Sequence, residues 1–210
     1  MNRLMQGYEF LRRTKHAYHN YFTVKALSKT TDFNFTTNYI AGNVENWSHW
    51  FAEYREKPAV KFLEVGSFEG RSTIWFLENI LTNPTSTITC VDVFWGDGRE
   101  ARFDHNLKRF AKQVIKYKGP SESVLQTLEK ELYDIIYIDG SHQSLNVLMD
   151  AHLCWKILKT NGLLLFDDYL WELKKPSVER PQLAIDLFLE AYQHKLTIIH
   201  KGYQVLVQKL

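Results

Sequence analysis

The run Glu64-Val65-Gly66-Ser67-Phe68-Glu69-Gly70-Arg71-Ser72 sets two glycines four residues apart at the end of an apolar stretch. Glycines there permit a tight strand-to-helix turn and close approach of a ligand to the backbone. Asp92 follows Gly70 by 22 residues, at the end of the next apolar stretch. A carboxylate at that place can accept hydrogen bonds from both hydroxyls of a ribose. Loop and acid together point to a nucleoside-containing ligand. Two more acidic segments, Asp139-Gly140-Ser141-His142 and Asp167-Asp168, each close an apolar run. Adjacent parallel strands would bring Asp139, Asp167 and Asp168 to one rim, where carboxylates repel and raise one another's pKa. A hard divalent cation such as Mg²⁺ removes that repulsion through oxygen ligands. His142 lies three residues beyond Asp139. An unperturbed histidine, near ~6.5, can take a proton at neutral pH. Each residue also has a plainer reading: Glu64 as a buried acid tied to backbone amides, Ser121 as a helix cap, His142 as a structural side chain.

The glycine pattern narrows the ligand. A dinucleotide loop wants G-x-G-x-x-G, so that backbone and helix terminus meet a pyrophosphate. Here Phe68 occupies the middle glycine position, which obstructs that approach. Glu64 and Glu69 flank the loop with negative charge, which suits a cation. S-adenosylmethionine has a ribose, a sulfonium and an ammonium, and no phosphate.

The elements that must position these residues follow from periodicity. Residues 60–65, 87–93, 134–139 and 163–166 read as strands. Residues 72–81, 103–114, 121–132, 145–158 and 184–192 read as helices, with Asn161-Gly162 as a stop signal. Residues 196–200 and 203–207 around Lys201-Gly202 read as a β-hairpin. Strands separated by helices imply right-handed crossovers. The expected fold is therefore α/β: a doubly wound, mostly parallel seven-stranded sheet, helices on both faces, and a C-terminal antiparallel hairpin. In such sheets ligands sit beyond the carboxyl ends of the strands, where these acids lie.

Residues 1–58 read as an N-terminal helical cap on the substrate side, and 59–210 as the cofactor-binding unit, the two making one compact domain. Leu4, Tyr8, Leu11, Tyr18 and Phe22 have helix-like spacing, and residues 1–30 carry six basic side chains against Glu9 alone. A basic aromatic helix can touch a membrane or RNA, but is more commonly a solvated face over a docked apolar stripe. A Trp-rich helix is expected from Trp47 to Tyr54.

Composition bounds the rest. The 210 residues are 45% hydrophobic and 24% charged, with 26 Lys+Arg against 24 Asp+Glu. That mixture excludes a disordered or collagenous chain, and the net +2 does not favour nucleic acid. Two cysteines, Cys90 and Cys154, are too few for a disulfide framework. With no membrane span and no leader read at the N-terminus, a cytoplasmic protein is expected.

The run FLEVGSFEGRS resembles motif I of class I S-adenosylmethionine-dependent methyltransferases. More narrowly, EVGSFEGRS, VDVF, YKGPSESVLQTL and IYIDGSH with LLLFDD resemble the bacterial methyltransferase family that also contains the so-called cephalosporin hydroxylases. Similar layouts occur in catechol O-methyltransferase and in metal-dependent sugar O-methyltransferases of macrolide pathways. The resemblance implies that Gly66, Phe68 and Gly70 shape the methionine pocket with Ser72 near its carboxylate, that Asp92 holds the ribose, and that Gly119 and Ser121 approach adenine. Glu64 and Asp139 join that cofactor-binding set. It implies Asp139, Asp167 and Asp168 as ligands of Mg²⁺ or Mn²⁺, and His142 as the base. Two departures stand out: Pro120 replaces an acid or polar residue of many relatives, and Asp168 an asparagine of the catechol type. His142 stands where the catechol layout has lysine and the sugar layout has histidine.

The implied reaction is O-methylation of a hydroxyl on a small molecule or sugar, the acceptor being expected as one of two vicinal hydroxyls that chelate the metal. Other readings stay open: a metal-independent methyltransferase of this fold, an NAD-dependent oxidoreductase, or a non-catalytic nucleoside-binding module. A homo-oligomer is also left open. Substrate walls are expected from residues 1–50 and 169–182. Tyr8, Tyr18, Phe22, Trp47, Trp50, Tyr169 and Trp171 are the candidate aromatics, although such residues at helical spacing are more often core.

Overall fold

The structure, a computed structural model, describes residues 32–210. The expected basic helix with Tyr8, Tyr18 and Phe22 lies outside these residues. A seven-stranded sheet carries the fold, in the order β3-β2-β1-β4-β5-β7-β6. Its strands are β1 (Lys61–Val65), β2 (Thr87–Asp92), β3 (Val114–Lys118), β4 (Tyr133–Ile138), β5 (Leu158–Phe166), β6 (Leu196–Lys201) and β7 (Val205–Lys209). The first five pair in parallel, whereas β7 pairs antiparallel with both β5 and β6. This is the expected doubly wound sheet with its terminal hairpin.

Alternation divides each central strand between two buried faces. Leu63 and Val65 of β1, with Ile136 and Ile138 of β4, join one core. That core is covered by α5 (Ser144–Ile157) and α6 (Pro181–Ala191), through residues such as Val147, Cys154, Ile185 and Phe188. Phe62, Ile135 and Tyr137 face the opposite core with α1 (Val44–Trp50), α2 (Arg71–Asn79) and α3 (Arg99–Leu107). The seven-residue α1 has no side-chain cap. Such a short helix owes its stability to packing. Trp47, fully buried, stacks on Phe76 with ring centroids 4.7 Å apart and donates its indole N–H to Gln204. Truncating an aromatic buried in this way costs about 3–5 kcal/mol.

Two helices come out shorter than their patterns suggest. The helix expected over 103–114 ends as α3 at Leu107, passes through a 3₁₀ turn at Lys108–Phe110, and gives way to β3. The sequence pattern predicts no strand there. As an edge strand with alternating half-buried and exposed residues, the basic run Val114-Ile115-Lys116-Tyr117-Lys118 lacks the apolar signature of the central strands. The helix expected over 121–132 is only α4 (Ser121–Leu125). Conversely, β5 begins directly where α5 ends, and Asn161 takes a left-handed backbone (φ +63°) within it.

Candidate active site

Strand register builds the site. Val65 pairs with both Val91 and Ile138, and Ile138 pairs with Phe166. The residues just past these pairs therefore stand side by side: Asp92, Gly66, Asp139 and Asp167. They open into a cavity of about 750 Å³, within the usual range of about 300–1,000 Å³ for ligand pockets.

Gly66 is glycine for a steric reason. It has φ +93°, and a Cβ there would meet the Asp139 carbonyl oxygen at 2.2 Å. The chain turning out of β1 thus lies directly against the end of β4. Phe68 also has positive φ (+49°). Its ring lies under the Arg99 guanidinium at 4.3 Å and near Tyr39 at 6.1 Å. Its amide donates to Asp92 Oδ2 at 2.8 Å, and the Phe94 amide donates to Asp92 Oδ1 at 2.6 Å. Each carboxylate oxygen can accept twice, so both keep a site for a ligand. Gly119 and Ser121, from the loop after β3, complete this part of the wall.

Glu64, Gly70 and Ser72 do not reach the cavity surface. Glu64 points into the core beneath the loop, where its Oε2 accepts from the Thr73 hydroxyl and its Oε1 is buried without a hydrogen bond. Burial raises its pKa, partly offset by the hydroxyls of Ser72, Thr73 and Ser67. Gly70 caps α2 with φ +81°, against Leu107 and Phe103. Ser72 is buried in the first turn of α2, beside Glu64.

Asp139, Asp167 and Asp168 come together as their strand ends require. The Tyr137 hydroxyl lies between two of them, 3.0 Å from Asp139 Oδ2 and 2.5 Å from Asp167 Oδ2. Asn43 adds a 3.3 Å hydrogen bond to Asp167 Oδ2. Burial, followed by the charges of Asp167 and Asp168, pushes the Asp139 carboxyl well above its ordinary range. Asp168 has a left-handed backbone (φ +60°), which ends the strand alternation that would send consecutive side chains to opposite faces. Its Oδ1 accepts from the Tyr203 hydroxyl at 2.6 Å, and its Oδ2 lies 2.8 Å from His142 Nε2. The His142 ring packs on Trp171 with centroids 4.2 Å apart. Among the described residues, no group of three His, Cys, Asp or Glu side chains is arranged to hold one metal ion.

Of the aromatic wall candidates, Trp171 lines the cavity. Trp47 and Tyr169 are buried away from it, and Trp50 packs on His200. The wall residues Tyr39, Arg99, Asn146 and Asp150 had not been singled out from sequence, nor had the bridging Tyr137. Tyr137 carried a usable signal, since two residues before Asp139 on a strand is the same face. Tyr203 carried none, because the hairpin brings it back from 35 residues away. No helix among the described residues is long and apolar enough to cross a membrane.

Comparison with known proteins agrees with this geometry. Residues 63–169 match a family model described as a methyltransferase domain. The chain is 30% identical over 134 residues to an uncharacterized protein, R132, of Acanthamoeba polyphaga mimivirus, covering 60% of this chain and 57% of that one. It is 29% identical over 108 residues to the O-methyltransferase hkm8 of Aspergillus hancockii, covering 51% of this chain and 42% of that one. It thus spans about half the length of these relatives. Among solved structures, the MycE methyltransferase of the mycinamycin biosynthetic pathway, in complex with Mg, SAH and mycinamycin VI, superposes with a TM-score of 0.59 at 17% identity, over 85% of this chain and 51% of that one. The matched family segment runs from β1 through the glycine loop, Asp92 and Asp139 to Tyr169 just past the acid rim, about half of the chain, and the chain belongs to the methyltransferase-domain family.

Proposed function

We propose that the protein is an S-adenosylmethionine-dependent O-methyltransferase acting on a hydroxyl of a small molecule or sugar. The observation that carries this reading is the row Asp92, Gly66, Asp139, Asp167 along one cavity, with a ribose-competent acid towards one side and an acid rim with His142 towards the other. The residues present fit the cofactor. Asp92 is held by two amides and retains acceptor capacity for ribose hydroxyls. Val91 and Met149 supply apolar wall. Phe68, Gly66, Gly119, Ser121 and Asp139 surround the remaining space, while Glu64, Gly70 and Ser72 support the loop from behind. When bound, S-adenosylmethionine supplies an electrophilic methyl group on a sulfonium.

The chain's own residues then have to position and deprotonate an acceptor. A neutral hydroxyl is a poor nucleophile, and alignment with the methyl carbon accounts for much of catalysis. Trp171 packs against His142 and limits its orientations, and Asp168 anchors Nε2. His142 is the proton acceptor in this reading. The segment preceding β1 acts as the substrate-side cap to the cofactor unit at 59–210, since Tyr39 lies on the cavity wall and Asn43 reaches Asp167.

Metal dependence is the finer part of the proposal. The donor chemistry fits a hard cation: oxygen ligands only, and a buried Asp139 unfavourably placed between like charges. Asp139, Asp167 and Asp168 are not arranged here around one point, being engaged with Tyr137, His142 and Tyr203, and would have to turn from these partners to hold Mg²⁺ or Mn²⁺, which would lower the pKa of a bound hydroxyl. The MycE complex contains Mg, which adds support. Calorimetry with S-adenosylmethionine tests the cofactor, and methyl transfer to a panel of catechols and sugars, with and without chelator, tests the reaction. Binding of NAD in place of S-adenosylmethionine would overturn the reading.

A further inference from the structure

The chain ahead of α1 is tied down by residues that the scheme above leaves unused. Residues 32–40 form neither helix nor strand. They are nonetheless pinned step by step to α3 and to the glycine loop after β1. The buried Asn106 side chain of α3 grips the Asn34 main chain twice, its Oδ1 accepting from the amide at 2.6 Å and its Nδ2 donating to the carbonyl at 3.1 Å. The same Nδ2 donates to the Glu69 carbonyl at 2.9 Å. The buried Glu69 carboxylate accepts from the Thr36 amide on Oε2 at 2.7 Å and from the Thr36 hydroxyl on Oε1 at 2.8 Å. Arg71 donates to the Thr37 carbonyl at 2.7 Å and lies over the Phe35 ring.

Glu69 and Arg71 belong to the glycine-loop run, yet neither lines the cavity. The charge of Glu69, which in sequence suits a cationic ligand, is turned instead towards this strap and towards Arg102, whose Nε donates to Oε1 at 2.5 Å. A buried carboxylate is tolerated only where donors satisfy it. Three do so here, two of them from Thr36. Beyond Thr37 the strap reaches the cavity wall, where Tyr39, 63% exposed, stands against Phe68, and Asn43 meets Asp167. Its anchors therefore stand past β1 and past β5, on either side of β4, and the chain between them crosses the edge of the cavity.

We propose that residues 33–43 are a gate over the cofactor cavity, latched by the Thr36–Glu69 hydrogen bonds, and that the cofactor and its product exchange only when this latch opens. The inference rests on the S-adenosylmethionine reading above. The latch is made of a few side-chain hydrogen bonds, so it can break while α2 and α3 stay folded. Segments held in this way open at low free energy, and the lids of binding sites are drawn from them. Glu69 is also next to Phe68, whose amide holds Asp92, so the latch is fastened to the loop that faces the cofactor. A gate acts on entry and exit alike. Where the closed form blocks passage, weakening it raises the open fraction of the free and the occupied protein by the same factor.

The test uses the full chain and S-adenosylhomocysteine. Thr36 is exposed, and Thr36→Val removes one donor while the backbone amide and Arg102 still satisfy Glu69. Association and dissociation, followed by stopped flow, should both quicken by about tenfold, the worth of a hydrogen bond to a charged group, with affinity within about threefold of wild type. Thr36→Ser keeps the hydroxyl and should restore the wild-type rates. In wild type, hydrogen exchange at the amides of residues 33–40 should slow when S-adenosylhomocysteine binds, because the ligand adds contacts to the closed form. Faster dissociation with unchanged association would make the strap a plain contact and overturn the gate. Unchanged rates in Thr36→Val, a Thr36→Ser that behaves like it, or strap exchange indifferent to the ligand would overturn it too. Wild type that binds no S-adenosylhomocysteine overturns the cofactor reading itself, an outcome distinct from all of these.

Discussion

His142 Nε2 and Asp168 Oδ2 stand 2.8 Å apart, joining a loop after β4 to the end of β5. The pair fixes one ring nitrogen and leaves Nδ1 to face a second partner. Replacement of His142 by Ala should lower turnover by about 10²–10⁴, the usual worth of a general base. S-adenosylhomocysteine affinity should change little, since the ring lies at the acceptor side. Single-turnover transfer with matched calorimetry checks this, and an unchanged rate would remove His142 from the chemistry.

Asp92 offers a separate test. Asp92→Ala removes the acceptor for the Phe68 and Phe94 amides and the proposed ribose partner together. Cofactor binding should weaken by about 1.5–3 kcal/mol, the scale of a charged hydrogen bond. Asp92→Asn should lose less, because its amide oxygen still accepts. Titration calorimetry distinguishes the two variants.

Metal removal bears on the acid rim. Methyl transfer should stop in chelator and return on addition of Mg²⁺ or Mn²⁺. Asp167→Ala should abolish transfer while leaving S-adenosylhomocysteine binding largely intact, whereas Asp139→Ala, whose carboxyl also lines the cofactor space, should abolish transfer and weaken binding. Activity indifferent to chelator, in variants that remain folded, would favour a metal-independent enzyme in which the acids bind substrate directly.

Glu64 makes a prediction about stability. Its folded pKa is raised by burial, above its value in the unfolded chain. The carboxyl is therefore best tolerated below about pH 4.3, the unfolded value, and its contribution falls as pH rises from there towards the folded pKa. Glu64→Gln removes that dependence. In thermal unfolding without ligand, the variant should gain on wild type as pH rises from 4 to 8. A gain of about 1 kcal/mol would move Tm by roughly 2–4 °C in a chain of this size. A gap that narrows with rising pH would contradict the buried-charge account.

Much of this architecture was legible in residue order. Strand ends carrying Asp92, Asp139 and Asp167-Asp168, the two glycines of the β1 loop, and the terminal hairpin are local patterns: short apolar runs, turn residues and acids at fixed offsets. They were enough to expect a doubly wound sheet with its acids along one edge. The edge strand β3 escaped because one of its faces is solvated, so its pattern blends into the amphipathic helix before it. Which acids face the cavity was likewise not a local matter. Glu64 sits two residues before Gly66 but turns into the core towards Thr73, whereas Asp150, deep in a helix, comes to the wall because α5 packs beneath the Ser121 loop. Residue types and spacing determined that this chain can build a nucleoside pocket beside an acid rim. Strand register and the return of the hairpin decided that Tyr137 bridges Asp139 and Asp167 and that Tyr203 meets Asp168, because contacts between residues far apart in sequence exist only once the sheet has closed.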